Sequence, residues 1–287
     1  MPLKHFLIAL QFFTRIPIPG WLAAWVGYSP AMLRAASVYF PLVGTVVGVF
    51  AAGVLLMLTP LLPAQQLAFL LAAALATAAS VWLTGGFHED GLADTADALG
   101  GYVSRDKALE IMKDSRIGSY GTLALVLVLL LKISLLALLL ARSPLLAALA
   151  LIFAHTQSRL APLFLMFTLP HVGDLGTSKS KPLADAISPA QLAAALLWPL
   201  LVLVAALCAN PSPAWLLAIG LLLLGAWRLG AWFQARIGGF TGDTLGCSQQ
   251  ISELLIYASL VCWPQISHLI APNLPNALSR FMQGGNV

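Results

Sequence analysis

Four acids stand within nine residues in the segment Thr84-Gly-Gly-Phe-His-Glu-Asp-Gly-Leu-Ala-Asp-Thr-Ala-Asp97, in a chain that carries only 11 acids altogether. Read as a helix from about His88, the segment sets Asp90, Asp94 and Asp97 at i, i+4 and i+7. At about 100° per residue they share an arc of roughly 60°, with Glu89 at its edge. Carboxylates crowded on one face repel each other unless a cation lies between them. The donors are oxygens, with His88 the one nearby imidazole and no cysteine, a set that selects hard Mg²⁺ or Mn²⁺ over zinc. Magnesium held by a few carboxylates keeps positions open for water or phosphate oxygens, which suits phosphoryl chemistry. A solvated acidic face is the ordinary alternative. Against it, the small residues Gly91, Ala93, Ala96, Ala98, Gly100 and Gly101 leave room for a ligand to approach closely.

Further groups could complete such a site. Ser104 is placed to cap a short amphipathic helix that turns Leu109, Ile111 and Met112 toward protein or bilayer and Lys113, Asp114 and Arg116 toward water. Lys113 and Arg116 are candidate phosphate contacts, the one a point charge and the other a bidentate fork, whereas Arg105 and Asp106 read as solvated surface. The glycine-rich stretch Gly238-Gly-Phe-Thr-Gly-Asp-Thr-Leu-Gly246 can turn backbone N–H groups toward an anion, and its Asp243 can add a metal ligand. Lys132, His155, Arg159, Arg228 and Glu253 fall in apolar runs, where an ionisable group needs a partner or a wet cavity. Arg228 reads as snorkelling. Lys132 and Arg159 read as substrate-binding, as does His88.

The elements that position these groups belong to a membrane. Hydrophobic residues make up 60% of the 287 and charged residues 9%, against roughly 45–50% apolar and 25% charged in soluble domains. Of 15 basic and 11 acidic residues, seven acids and four bases lie between Glu89 and Arg116, so the rest of the chain is almost bare of charge. Such a composition excludes a soluble enzyme, a disordered protein and a nucleic-acid-binding module, despite a net charge of +4. Cys208, Cys247 and Cys262 form neither a disulfide framework nor a zinc site. Runs near the roughly 20 residues needed to cross a bilayer occur at about Val38–Thr59, Gln66–Thr84, Thr122–Ala141, Pro144–Thr168, Ser188–Ala209, Pro213–Gln234 and Ile251–Ile270. The reading is therefore an all-α polytopic integral membrane protein of about seven transmembrane helices. It forms one transmembrane domain over 1–287, with 85–121 as its catalytic segment. The apolar stretch between Lys4 and Arg15 is too short to span and no small-residue cleavage site follows, so it reads as an interfacial or re-entrant helix rather than a signal peptide.

With the N-terminus in the cytoplasm, ten lysines and arginines (Lys4, Arg15, Arg34, Arg105, Lys107, Lys113, Arg116, Lys179, Lys181 and Arg236) fall inside, against Arg142 and Arg280 outside. The long polar connections 85–121, 169–187 and 235–250 then share the cytoplasmic face. That arrangement suits an enzyme acting on soluble substrates better than a transporter with access from both sides.

Phe12-Phe-Thr-Arg-Ile-Pro-Ile-Pro19, Tyr39-Phe-Pro-Leu-Val-Gly44, the acidic segment, Lys113-Asp-Ser-Arg-Ile-Gly118 with Gly121, and Gly239-Phe-Thr-Gly-Asp-Thr-Leu-Gly246 together resemble the cobalamin synthase family, the adenosylcobinamide-GDP ribazoletransferases. The resemblance covers nearly the whole chain and implies a Mg²⁺-dependent transferase of the bacterial inner membrane with its site facing the cytoplasm. It would join adenosylcobinamide-GDP to α-ribazole or α-ribazole 5′-phosphate, release GMP, and give adenosylcobalamin or its 5′-phosphate. On that footing Asp90, Asp94 and Asp97, with Glu89 and Asp243, hold one or two Mg²⁺ on the diphosphate, and Lys113, Arg116 and Arg159 steady the phosphates. The ribazole 5′-hydroxyl attacks the phosphorus bonded to cobinamide, with Asp94 or Asp97 as base. A homo-oligomer is compatible with all of this. Two other classes use related parts. A CDP-alcohol phosphotransferase would need Ala-Arg where Ala93 is followed by Asp94, and a divalent-metal transporter would need its carboxylates deep in the spans.

Overall fold

The computed structural model describes residues 2–173 and 187–270, so Lys179, Lys181 and Arg280 lie outside the described residues. The chain is helical almost throughout. Three short N-terminal helices, α1 (Pro2–Phe13), α2 (Gly20–Val26) and α3 (Pro30–Ala36), lead through a tight turn into α4 (Phe40–Leu58) and then α5 (Gln66–Thr84). The acidic segment forms α6 (Phe87–Gly100) and the stretch after it α7 (Arg105–Ile111). There follow α8 (Ser119–Arg142), α9 (Pro144–Gln157), α10 (Leu160–Thr168), α11 (Pro189–Ala209), α12 (Ala214–Ile237) and α13 (Gly242–Ile270).

Among the described residues six stretches are long and apolar enough to cross a membrane: Ala31–Leu61, α5, α8, α9 with α10 as one run, α11 and α12. The chain is a multi-pass, all-α membrane protein. The seventh expected span, Ile251–Ile270, lies within α13, which is not among those six. The reason is its inner face. Gln249, Gln250, Ser252, Glu253, Ser259 and Ser267 are all buried there, and they lower its hydropathy while serving contacts inside the bundle. At 29 residues and about 1.5 Å each it is still long enough to span.

Packing follows side-chain size. Gly44 and Gly48, one turn apart on α4, lie against the α9 backbone near His155 and Ile152, where a Cβ would collide. Small residues at such spacing let two membrane helices approach to backbone contact. Outward faces of α8, α11 and α12 carry exposed leucines such as Leu127, Leu130, Leu197, Leu201 and Leu224, as lipid-facing helices do. Arg228 is exposed and lies over the Trp227 ring at 5.8 Å, as the snorkelling reading expects.

Turn chemistry sets up the site. Gly85 and Gly86 both adopt left-handed backbone (φ 72° each), so the chain leaves α5 and enters α6 within two residues that only glycine accommodates easily. Ser104 caps α7 as expected, accepting from the Lys107 N–H at 3.4 Å. The glycine-rich stretch 238–246 is shorter as a loop than its composition suggests. Gly238 (φ 80°) ends α12, and Thr241 and Thr244 exchange side-chain hydrogen bonds (Thr241 N–H to Thr244 Oγ1 2.9 Å, Thr244 N–H to Thr241 Oγ1 3.3 Å), which starts α13 at Gly242.

Candidate active site

α6 is fixed at both ends. The Arg15 backbone N–H donates to the Leu83 carbonyl (2.7 Å) just before it, and Arg236 of α12 donates to the Leu99 and Gly101 carbonyls (3.1 and 2.7 Å) at its C-terminus. A cation there also suits the negative end of the helix dipole. Along its length Gly91 lies against the first turn of α13. A Cβ at that position would stand 2.7 Å from the Asp243 carbonyl oxygen and 3.2 Å from Gly246 Cα. This contact brings the acidic face of α6 beside Asp243, 149 residues later in the chain.

Between these elements opens a cavity of about 660 Å³. Its polar wall carries Asp90, Asp94, Asp243, Lys113 and Arg159, with His88 and the 241–243 turn. Arg159 is buried, donates to the His155 carbonyl oxygen, and its Nε has no hydrogen-bond partner among the described residues. An orphaned guanidinium N–H at a cavity wall is a place for an anion. The start of α13 adds backbone N–H groups and the positive end of a long helix. His88 is stacked on Phe13 (5.6 Å, 15°), and burial, reinforced by the charge of Arg159, holds its imidazole well below the ordinary range. It therefore stands as a neutral group.

Other expected site residues are placed elsewhere. Asp97 is on the same face of α6, but both its oxygens accept backbone hydrogen bonds, Oδ2 from Gly118 (2.7 Å) and Oδ1 from Gly121 (2.8 Å), at the start of α8. It caps that helix from outside and does not line the cavity. Glu89 turns inward, where Oε1 accepts from Gln250 Nε2 (3.0 Å) and Oε2 has no partner among the described residues. Arg116 is exposed and paired with Asp114 (2.6 Å), whose carboxyl it pulls down to about 2 through their side-chain hydrogen bond. Lys132 forms a buried ion pair with Glu253 (2.9 Å). Thus Asp90, Asp94, Asp243, Lys113, Arg159 and His88 come together, while Glu89, Asp97, Arg116 and Lys132 do not.

The Lys132–Glu253 pair belongs to a network that runs beneath the cavity. Glu253 Oε1 also accepts from Tyr257 OH (3.1 Å) and lies 3.4 Å from His155 Nε2, and Oε2 accepts from Gln249 Nε2 (2.8 Å). Gln249 reaches Ser158 Oγ (2.9 Å), and Gln250 Nε2 donates both to Gln249 Oε1 (2.9 Å) and to Glu89. Two acids, Glu89 and Glu253, thus face two bases, Lys132 and Arg159, in a buried region of balanced charge. Of these groups the sequence singled out Glu89, in the acidic segment, and Lys132, His155, Arg159 and Glu253, in the apolar runs. The glutamines carried no signal.

An aromatic wall is the feature that sequence reasoning missed. Phe12, Phe13, Phe40 and Phe87 line the cavity, with Phe13 and Phe87 packed against His88. Phenylalanines in so apolar a chain do not stand out.

As for a metal, the donor set of Asp90, Asp94 and Asp243 is all oxygen and suits a hard divalent ion. Among the described residues no three histidine, cysteine or carboxylate side chains form a group that could cage a metal ion. Magnesium needs no such cage, since it is commonly held by one or two carboxylates plus substrate phosphates and water. One or two of these carboxylates would suffice for an ion that a bound diphosphate also ligates.

Comparison with known proteins agrees with the site's character. The family model described as cobalamin-5-phosphate synthase matches residues 5–261. A protein of Polaromonas naphthalenivorans (strain CJ2) named adenosylcobinamide-GDP ribazoletransferase is 50% identical over 270 residues, 90% of this chain and 97% of the relative. Proteins of the same name from Polaromonas sp. (strain JS666 / ATCC BAA-500) and Shewanella piezotolerans (strain WP3 / JCM 13877) are 48% and 47% identical, covering 90% of this chain in each case and 96% and 95% of the relative. No solved structure matches. Matched by the family model over most of its length, the chain belongs to the cobalamin-5-phosphate synthase family of membrane enzymes.

Proposed function

We propose that the chain transfers the cobinamide-bearing phosphate of adenosylcobinamide-GDP to a ribose hydroxyl of α-ribazole or α-ribazole 5′-phosphate, releasing GMP. The observation that carries this reading is the meeting of Asp90, Asp94 and Asp243 with Lys113 and Arg159 around one cavity at the start of α13, a wall built for a diphosphate and its counter-ions. The ribose hydroxyl's oxygen bonds to the phosphorus nearer cobinamide, and the bond from that phosphorus to the bridging oxygen breaks. GMP leaves with the electron pair, and the hydroxyl proton passes to a carboxylate. The family description names a 5-phosphate in the product, so with the phosphorylated acceptor the 5′ oxygen is already occupied. The attacking group is then a secondary hydroxyl of the ribose, not the 5′-hydroxyl expected above.

Asp94 is the base we assign, because Asp97, the other candidate, has both oxygens engaged by backbone N–H groups. Mg²⁺ would be held by one or two of Asp90, Asp94 and Asp243 together with the donor diphosphate. When bound, that ion supplies charge neutralisation on the diphosphate and on the departing phosphate. Lys113 and Arg159 orient the donor phosphates. The excess of lysine and arginine in the polar connections along the sequence supports a cytoplasmic site in a bacterial inner membrane.

The test measures GMP release from adenosylcobinamide-GDP and α-ribazole by the protein in liposomes, with Mg²⁺ and with excess chelator. Turnover should require the cation and fall at least 100-fold in Asp94→Asn. Undiminished turnover in the chelator, or in Asp94→Asn, would overturn the assignment.

A further inference from the structure

The cavity has an apolar half that phosphate chemistry leaves unused. Phe12 and Phe13 come from α1, Phe40 from the start of α4 and Phe87 from the start of α6. They form a linked edge-to-face array, with ring centroids 4.6 Å apart for Phe13 and Phe40, 5.5 Å for Phe12 and Phe87, and 5.6 Å for Phe13 and Phe87. Phe13 and Phe40 are buried, whereas Phe12 and Phe87 are half-buried and keep ring surface open. Leu109, Met112 and Pro162 extend the same apolar lining.

The array is positioned for a flat ring held beside the diphosphate, and the proposed substrates offer three candidates. A cavity of about 660 Å³ is of the size that encloses one drug-sized ligand, so the corrinoid must lie outside it. Guanine carries donors and acceptors around its edge. Stacking by its face would not exclude it, but each of those groups turned toward Leu109, Met112 or Pro162 and left unpaired would cost about 1–3 kcal/mol, so the apolar rim of this wall disfavours it. The benzimidazole of α-ribazole is flat and, beyond one ring nitrogen, apolar. We propose that Phe12 and Phe87, backed by the buried Phe13, form the subsite for the acceptor's benzimidazole, holding its ribose hydroxyl toward Asp94. This rests on the transferase reading above. It gives the N-terminal helix α1 a task, which is to carry Phe12 of the acceptor subsite and Phe13 behind it.

Stacking of an aromatic ring on a base is worth about 1–3 kcal/mol, which corresponds to a KM change of about 5- to 150-fold. The experiment uses full-length protein in liposomes and determines KM for α-ribazole and for adenosylcobinamide-GDP separately, in wild type, Phe12→Ala, Phe87→Ala and the bulk-retaining Phe12→Leu. The expected result is a rise of about 10-fold in KM for α-ribazole, with KM for the donor changed less than 2-fold. Binding of benzimidazole alone, by calorimetry in the absence of donor, should be weakened by Phe12→Leu, while GMP binding is unchanged. A rise confined to the donor KM would assign the wall to guanine and overturn the proposal. So would unchanged KM values in all variants, which would make the array packing only. If wild type releases no GMP with α-ribazole, the transferase reading itself fails. If wild type turns over and the variants behave like it, only this subsite does.

Discussion

Replacing Glu253 by glutamine keeps shape and removes one charge, so it isolates what the buried pair contributes. The Glu253 side chain is 0% exposed and that of Lys132 3%. At their separation of 2.9 Å the gross attraction is about 6 kcal/mol at an effective dielectric constant of about 20, part of which desolvation takes back. Glutamine cannot satisfy the site in either orientation. Oε1 faces the Lys132 ammonium and Tyr257 OH, and Oε2 faces the Gln249 amide N–H. Whichever way the new amide turns, its NH₂ meets a donor. Removing one partner of a buried pair leaves the other uncompensated, at about 3–5 kcal/mol, and here the stranded Lys132 shares its network with Arg159. Glu253→Gln and Lys132→Met should each lose about 3–5 kcal/mol, and the double variant should lose much less than their sum. The coupling should be about 2–3 kcal/mol. Equilibrium denaturation of the four proteins in mixed micelles measures this cycle. A cost below about 1 kcal/mol for Glu253→Gln, or strict additivity in the double variant, would refute the reasoning.

Asp97→Asn turns an NH₂ toward Gly118 or Gly121 N–H, so it should lose about 1–3 kcal/mol of stability. Asp94→Asn should lose turnover at temperatures where the folded fraction is unchanged, and a thermal-shift assay paired with GMP release separates the two roles. Gly121→Ala forces a Cβ onto the Asp97 carboxylate and to 2.9 Å from the Ala93 carbonyl, and should reproduce the Asp97→Asn melting defect. Gly91→Ala sets a Cβ 2.7 Å from the Asp243 carbonyl. By prising α6 from α13 it should raise the Mg²⁺ concentration needed for half-maximal rate several-fold, read from a Mg²⁺ titration of activity. Lys113→Ala should raise the donor KM about 10-fold, whereas Arg116→Ala, exposed and paired with Asp114, should change it less than 2-fold.

Much of this protein is local and therefore readable along the chain. Apolar runs gave six of the membrane-crossing stretches, and the scarcity of charge elsewhere made the acidic segment conspicuous. The i, i+4, i+7 spacing put Asp90, Asp94 and Asp97 on one face of α6, and Ser104 marked where α7 begins. Helical periodicity says which side chains share a face. It cannot say which distant element covers each part of that face, because that depends on contacts between residues far apart in sequence. The N-terminus of α8 covers Asp97 and spends its oxygens on Gly118 and Gly121. Asp90 and Asp94 instead stay on the cavity, because Gly91 lets α13 in beside them and brings Asp243 with it. Lys132 looked like a substrate contact only while Glu253, 121 residues away, had no position. The phenylalanines of α1 looked like ordinary apolar filling until the fold set them on a cavity wall. Composition and spacing thus determined the membrane and the kind of chemistry, and only tertiary packing decided which charges face a substrate and which neutralise one another.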